Sequence, residues 1–226
     1  MTREMYQQQI GTLRNDVVAM SSMVEKAIAH SVQALRERDV LLARKVIAGD
    51  LAINAKRWQI EECALLLIAT QAPVAGDLRK IAAVIHTATE LERMADHAAG
   101  NAKIVILTAD QPLIKPLVDI PRMAQVAREM LAESIRAFIA ADEHAARAVV
   151  QRDDEVDALY NQVYRELLTY MMADPATIDA ATHLLWVAHN LERIADRVTN
   201  VCERVVFAVT GVLEELAVAS GSDLDR

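Results

Sequence analysis

The stretch Leu191-Glu192-Arg193-Ile194-Ala195-Asp196 repeats the stretch Leu91-Glu92-Arg93-Met94-Ala95-Asp96, which lies one hundred residues earlier in the chain. Five of the six positions are identical. Residues four positions apart share a face of an α-helix, so Glu192 and Asp196 place two like charges one turn apart, where they repel by ~0.2–0.5 kcal/mol. An arrangement of this kind that occurs twice indicates a site for a cation.

The second copy of this stretch belongs to a helical stripe of oxygen-bearing side chains. Steps of three and four residues lead from Glu192 to Asp196, Thr199, Asn200 and Glu203. The adjacent stripe is apolar and suits the core of a helical bundle: Leu184, Val187, Leu191, Ile194, Val198, Val201 and Val205. In the first copy the oxygen-bearing stripe reads Glu92, Asp96, Gly100 and Lys103, which is a poorer set of ligands. We therefore expect two unequal sites beside a bundle core.

The composition is typical of a helical protein. Aromatic residues make up 4% of the 226 residues, with only six Gly and five Pro, while Ala, Leu, Val and Ile are abundant. A formal net charge of -8 argues against binding to nucleic acid or to an anionic membrane. The N-terminus is too polar for a signal peptide, and the most apolar run is too short to span a bilayer. We expect a soluble cytoplasmic protein.

The two cysteines, Cys63 and Cys202, lie far apart and form no Cys-x-x-Cys motif. Neither a thiolate zinc site nor a disulfide framework is indicated. We interpret both as buried thiols in a reducing compartment.

Apolar periodicity predicts helices over residues 2–38, 40–70 and 76–108 in one half and over 122–140, 142–172 and 176–210 in the other. A segment with three prolines separates the halves. Residues 31–50 and 134–153 are identical at seven of twenty positions. We predict an all-α fold of two tandem pseudo-symmetric three-helix bundles, residues 1–109 and 122–212, joined by a proline-rich linker, 110–121. A tail, 213–226, follows, with residues 220–226 disordered.

The duplication exposes a second set of matched acids. Asp153 and Asp157 repeat the four-residue spacing on the middle helix of the second half, where the first half has Asp50 and Asn54. Antiparallel packing of the middle and last helices would bring the carboxylates of each half together on hard or borderline cations. The alternative is a pair of solvated acidic helix faces with neighbouring arginines for ion pairing.

Motifs of catalysis are missing from the sequence. Di-iron carboxylate bundles use Glu-x-x-His pairs, and the chain contains neither Glu-x-x-His nor Asp-x-x-His. No Gly-rich phosphate loop or Gly-x-Ser-x-Gly elbow occurs. His189, one turn before Glu192, is interpreted as hydrogen-bonded and not as a ligand. The turn at residues 71–80 is interpreted as a helix start, since a direct anion site there has no counterpart in the second half. We expect no enzyme.

In combination these motifs resemble the PhoU family, the accessory proteins of the bacterial phosphate-specific transport system. The resemblance rests on the two Leu-Glu-Arg-x-Ala-Asp stretches, on residues 69–79 (Ala-Thr-Gln-Ala-Pro-Val-Ala-Gly-Asp-Leu-Arg) and on the duplicated acids, and it covers nearly the whole chain. It implies two three-helix bundles with motifs that bind multinuclear iron or zinc clusters in some members. Other divalent cations are alternatives to iron and zinc at these motifs. The metal positions it implies here are Asp50, Asn54, Glu92, Asp96, Asp153, Asp157, Glu192, Asp196 and Asn200.

Two departures weaken the first half of this pattern. Asn54 stands where the pattern has an acid, and Gly100-Asn101 shifts the asparagine that follows the motif by one position. We expect metal in the first half to be weaker or absent.

The resemblance also implies a function. Members of the family act as negative regulators of the phosphate-starvation response, coupling the ATPase subunit of the phosphate ABC transporter to a phosphate-sensing histidine kinase. For this chain we expect a non-enzymatic homodimer that modulates phosphate uptake and associates only peripherally with the membrane complex. The alternatives are a carboxylate-bridged metal oxidase or metal-storage bundle, and a helical scaffold that uses no metal.

Overall fold

Seven α-helices make up most of the computed structural model, which describes residues 3–216. They are α1 (Arg3–Glu37), α2 (Val40–Gln71), α3 (Gly76–Leu107), α4 (Asp119–Ala140), α5 (Glu143–Val150), α6 (Asp153–Ala173) and α7 (Ile178–Thr210), with a 3-10 turn at Pro175–Thr177. No strand occurs within residues 3–216, and none of the helices there is long and apolar enough to cross a membrane. The predicted all-α fold is confirmed. The predicted disorder of residues 220–226 lies outside the described residues.

The helices form two three-helix bundles that pack side by side. In the first half α1, α2 and α3 contact one another, and in the second half α4, the α5–α6 pair and α7 do so. The halves meet where α3 packs on α7 and where α1 packs on α4. Each of these pairs joins two helices that are equivalent by the duplication. The predicted pseudo-symmetric arrangement is confirmed.

Equivalent aspartates begin the middle helix of each half. The side chain of Asp39 accepts a hydrogen bond from the Leu42 N–H at 2.9 Å, and Asp142 accepts one from the Ala145 N–H at 2.9 Å. Such caps satisfy a backbone donor that the helix leaves unpaired. Asp39 and Asp142 therefore mark the starts of α2 and α5.

The middle helix of the second half is interrupted, so the single helix predicted over residues 142–172 is wrong. Hydrogen bonds from the Arg152 N–H to the Val149 carbonyl (3.0 Å) and from the Glu155 N–H to the Arg152 carbonyl (3.1 Å) tighten the chain into a turn. The turn lets the Arg152 guanidinium donate to Glu129 at 2.7 Å and to Glu133 at 2.9 Å on α4. By the duplication, Gly49 stands in place of Arg152, and α2 is continuous there.

The core follows the predicted apolar stripe of α7. All seven of its residues are buried: Leu184, Val187, Leu191, Ile194, Val198, Val201 and Val205. Cys202 is buried too, but Cys63 is exposed on α2. The interpretation of two buried thiols is therefore wrong for Cys63, because α2 turns this face outward.

The connection between the halves is shorter than the segment assigned to it from the prolines. α4 begins at Asp119, because Pro121 falls in its first turn, where the missing N–H would have no helical acceptor. Lys115 anchors the connection: its side chain is 4% exposed and forms an ion pair with Glu166 on α6.

Candidate metal centre

Four carboxylates of the second half come together where the start of α6 lies against the middle of α7. We call Asp153, Asp157, Glu192 and Asp196 the C-terminal acidic cluster; all four are half-buried. Burial raises the pKa of Asp153 to about 7, with a further contribution from the charges of the other three acids and Asp154. Burial, and then the charge of Asp196, likewise raises the pKa of Glu192 to about 7, against the opposing effect of Arg193. The four acids therefore lie near enough for their charges to affect one another.

Two oxygens of this cluster lack hydrogen-bond partners. Asp153 Oδ1 and Glu192 Oε2 are buried, and neither accepts a hydrogen bond from any described residue. His189 Nδ1 lies 3.3 Å from Glu192 Oε2, but the two groups are not aligned for a hydrogen bond. Buried acceptors are nearly always paired in folded proteins. A proton or a bound cation would therefore supply the partner that these two oxygens lack.

Arginine partly neutralises the cluster from its outer side. Arg193 Nη1 forms an ion pair with Asp196 Oδ2 at 2.5 Å. Burial raises the pKa of Asp196, while the charges of Arg193 and Arg197 act in the opposite direction. One of the four carboxylates thus already has a cationic partner.

The first half carries the equivalent set, Asp50, Asn54, Glu92 and Asp96, which we call the N-terminal acidic cluster. Asn54 Nδ2 donates to Asp50 Oδ2 at 3.0 Å, and Asp96 is exposed. Burial and then the charge of Asp96 raise the pKa of Asp50. Burial and then Asp96 also raise the pKa of Glu92, which Arg57 opposes. This cluster has one charge fewer than the other and is less enclosed.

The donor chemistry of both clusters suits a hard or borderline divalent cation, because every donor is a carboxylate or amide oxygen. The side chains as placed are not arranged around an ion, however. Within residues 3–216, no three His, Cys, Asp or Glu side chains are grouped so that they could hold a metal ion. Asp196 turns to Arg193 and Asp50 turns to Asn54, so binding would require these side chains to change partners.

Asn200, one of the predicted metal positions, faces α3. Its Nδ2 donates to Glu90 Oε2 at 3.2 Å, and Arg197 Nη1 lies 3.5 Å from the same oxygen. As placed, Asn200 belongs to the contact between the two halves and not to the acidic cluster.

A polar seam between α3 and α7 was missed by sequence reasoning. His97 Nδ1 is hydrogen-bonded to Asn190 Oδ1 at 3.1 Å, and Asn190 Nδ2 donates to Asn101 Oδ1 at 2.9 Å. A Cβ atom at Gly100 would lie 3.2 Å from Asn190 Nδ2, which accounts for glycine where the second half has Asn200. The seam could have been found by comparing the two halves. The equivalent positions 90 and 190 are Glu and Asn, and the equivalent positions 97 and 197 are His and Arg, so polar residues occur at both positions in both halves.

The fold and the site together define a class: duplicated, all-helical proteins that carry a matched acidic cluster in each half. The family model of the PhoU domain matches residues 17–105 and 120–205. The chain belongs to the PhoU family.

Relatives of known name and structure agree with this assignment. The phosphate-specific transport system accessory protein PhoU homolog of Caulobacter vibrioides (strain NA1000 / CB15N) is 40% identical over 216 residues, which cover 95% of this chain and 93% of the relative. The crystal structure of PhoU from Pseudomonas aeruginosa superimposes with a TM-score of 0.87 at 32% identity, covering 92% of this chain and 100% of that chain. The crystal structure of the phosphate transport system regulatory protein PhoU from Streptococcus pneumoniae superimposes with a TM-score of 0.86 at 29% identity, covering 92% of this chain and 99% of that chain.

Proposed function

We propose that this chain is an accessory protein of a phosphate-specific transport system and represses the phosphate-starvation response while phosphate is plentiful. The observation that carries the proposal is similarity along nearly the whole chain to a relative named for that accessory role. The similarity to the S. pneumoniae protein, which is named a phosphate transport system regulatory protein, supports the regulatory part.

In this proposal the protein carries out no reaction and works by docking in the cytoplasm. It contacts the ATPase subunit of the phosphate ABC transporter and the phosphate-sensing histidine kinase, and it binds no nucleic acid. Long helices with exposed faces suit helix-on-helix recognition. The net charge of -8 favours partners with basic surfaces.

We assign divalent cations, iron or zinc first, to the two acidic clusters. A bound cation would supply positive charge that relieves the mutual repulsion of the carboxylates and would satisfy the unpaired oxygens of Asp153 and Glu192. The C-terminal acidic cluster is the stronger candidate because all four of its acids are half-buried. Asp196 would exchange its Arg193 partner for the metal.

We assign the proposed homodimer contact to the outer face of α2. Leu51, Trp58 and Leu65 follow one another at seven-residue intervals and are 74%, 63% and 53% exposed, which is the spacing of a helix–helix seam. A twofold axis at Trp58 would set Leu51 against Leu65 of a second copy. The same axis would place Glu62 opposite Asn54, so no two acids would meet. Sedimentation should show a dimer that Leu65→Glu converts to a monomer.

Deletion of the gene from its own organism tests the regulatory proposal. Transcription of phosphate-starvation genes should rise in phosphate-rich medium, and a plasmid copy of the intact gene should restore repression. The kinase gene deleted in the same strain provides the control, since derepression should then disappear. Transcription that stays at the wild-type level in the first deletion would refute the proposal.

Metal content tests the assignment of the clusters. Protein purified without an affinity tag or chelators should contain iron or zinc by elemental analysis, with X-ray absorption edges identifying the element. A protein free of metal, and unaffected in melting temperature by added iron or zinc, would favour the metal-free scaffold. Oxygen consumption on addition of ferrous iron to the apo-protein would favour the oxidase alternative.

A further inference from the structure

A cavity of about 480 Å³ lies at the end of the molecule where both halves meet. Its walls come from α1 and the first turns of α3 in one half and from the last turns of α4 and α7 in the other. Its volume falls within the range of about 300–1,000 Å³ that small-molecule sites occupy. Neither acidic cluster contributes a residue to it.

Most of the wall is apolar. Ile10, Val84 and Phe138 line the cavity together with Val205 and Val209 near the end of α7. Such walls remove a hydrocarbon body from water, which stabilises its bound state. The cavity therefore favours a ligand with an apolar part.

The polar part of the wall is cationic. Arg14, Arg79 and Lys80 line the cavity beside the neutral Gln7, and none of the described Asp or Glu residues does so. Lys80 forms an ion pair with Asp77 at 3.1 Å. Among the side chains of residues 6–216, by contrast, neither Arg14 nor Arg79 has a carboxylate in ion-pair range, and Arg79 Nε is buried without a hydrogen-bond partner there.

The chain leaves room for the Arg79 guanidinium. A Cβ atom at Gly211 would lie 3.2 Å from Arg79 Cζ and 3.2 Å from Nη1, so a larger residue there would push the guanidinium away. Gly211 also has a φ of +82°, which other residues rarely adopt. The glycine at the end of α7 thus leaves the space that the Arg79 guanidinium occupies.

We propose that this cavity binds an amphiphilic anion, with a carboxylate or phosphate head on Arg14 and Arg79 and a hydrocarbon body against the apolar wall. The planar guanidinium presents two parallel donors that match carboxylate and phosphate oxygens. The ligand would contact both halves of the molecule at once. This site is separate from the acidic clusters and from the docking role proposed above.

Isothermal titration of the full-length protein tests this assignment with four probes: decanoate, decyl phosphate, decanol and inorganic phosphate. Decanoate or decyl phosphate should bind, and which of them binds more tightly identifies the head group. Arg79→Gln and Arg14→Gln should each weaken that binding at least tenfold, and Ala208→Phe should do the same by filling the cavity while keeping both arginines. Arg165→Gln, at an exposed position outside the cavity, should bind as the wild type does. Circular dichroism should show that every variant is folded.

Several results would overturn the proposal. One is that neither amphiphile binds to the wild-type protein, and another is that folded Arg79→Gln or Ala208→Phe binds with unchanged affinity. Inorganic phosphate binding as tightly as decyl phosphate would make the site a simple anion site, and decanol binding as tightly as decanoate would make it an apolar one. Because the readout is binding to the purified chain, none of these results bears on the regulation of phosphate genes.

Discussion

Glu90 and Asn190 occupy equivalent positions in the two halves, and each contacts the residue at the matching position of the opposite helix. Glu90 Oε2 lies 3.5 Å from Arg197 Nη1, while Asn190 Oδ1 lies 3.1 Å from His97 Nδ1. One contact is charged, and in the other a neutral amide takes the place of the acid. Glu90 and Arg197 form one pair, and the equivalent residues Asn190 and His97 form the other. The residue types differ between the two pairs, but each residue still has a polar partner.

Glu90→Ala should destabilise the protein by about 1–3 kcal/mol, because it removes the acceptor of both Arg197 and Asn200 and leaves a guanidinium that is 19% exposed without its partner. Urea unfolding followed by circular dichroism measures the change. Glu61→Ala is the matched control: Glu61 pairs with Arg57 at 3.5 Å but is 40% exposed, and it should change stability by less than ~0.5 kcal/mol. Equal effects of the two substitutions would contradict the structural role of the seam.

The C-terminal acidic cluster should make the stability of chelator-treated protein depend on pH. Burial holds the pKa values of Asp153 and Glu192 at about 7 in the folded state, above the ~4 of free carboxyl groups, so between pH ~4 and ~7 the folded state binds more protons than the unfolded state. Their contribution to stability is therefore complete below pH ~4 and is lost as the pH rises through about 7.

Asp153→Asn removes one of the repelling charges and isolates this effect. Since the carboxyls are only partly enclosed and solvent screens them, we expect the melting temperature at pH 8 to rise by about 2–4 °C, equivalent to ~1 kcal/mol for a chain of this size. The difference from wild type should become smaller as the pH falls and should approach zero only below pH ~4, where Asp153 is protonated in both states. Asp110→Asn, at an exposed site, should show no pH-dependent difference. A variant that is less stable than wild type at pH 8 would contradict the repulsion.

The two halves should differ in metal affinity. Glu192→Gln combined with Asp196→Asn should remove most of the bound metal, whereas Glu92→Gln with Asp96→Asn should remove less, because Asp96 is exposed and Asn54 carries no charge. Elemental analysis of both variants, with the melting temperature recorded before and after addition of metal, measures the difference. An equal or greater loss from the first-half variant would reverse the ranking.

Glu166 should matter more to stability than its partner Lys115. Glu166→Gln leaves a Lys115 ammonium that is only 4% exposed without its carboxylate, and we expect a loss of about 1–3 kcal/mol, reduced from the cost of a fully buried pair because Glu166 itself is 38% exposed. Lys115→Met keeps the volume without the charge and should cost less. Denaturant midpoints of the two variants, compared at the same m-value, decide the order.

Local features were predictable from the sequence because each depends on a few neighbouring residues. The apolar stripe of α7 and the cap at Asp39 follow from helical periodicity and backbone geometry. The convergence of Asp153 with Glu192 followed from the duplication and from antiparallel packing of consecutive helices. The stripe and the cap are present in the structure. The acids of α6 and α7 lie near enough for their charges to interact, but among the described residues they do not form a group that could hold an ion.

Features that depend on distant partners were not predictable. The break at Arg152 depends on its contacts with Glu129 and Glu133 of the preceding helix, and its helical pattern is otherwise uninterrupted. The exposed face of α2 could not be predicted either. Apolar residues such as Leu65 lie on all sides of this helix, so periodicity does not show which of them are exposed. Four helices from both halves enclose the cavity at Arg79, so no single stretch of sequence encodes it.

The reciprocal contacts of residues 90 and 197 and of 190 and 97 have the geometry of a twofold-symmetric dimer interface, in which each subunit offers the same patch to the other. Here the two subunits are fused in one chain. In a true dimer a substitution on that interface is imposed on both sides at once. Fusion removes this constraint, so one copy could exchange an acid for an amide while its twin kept the charge.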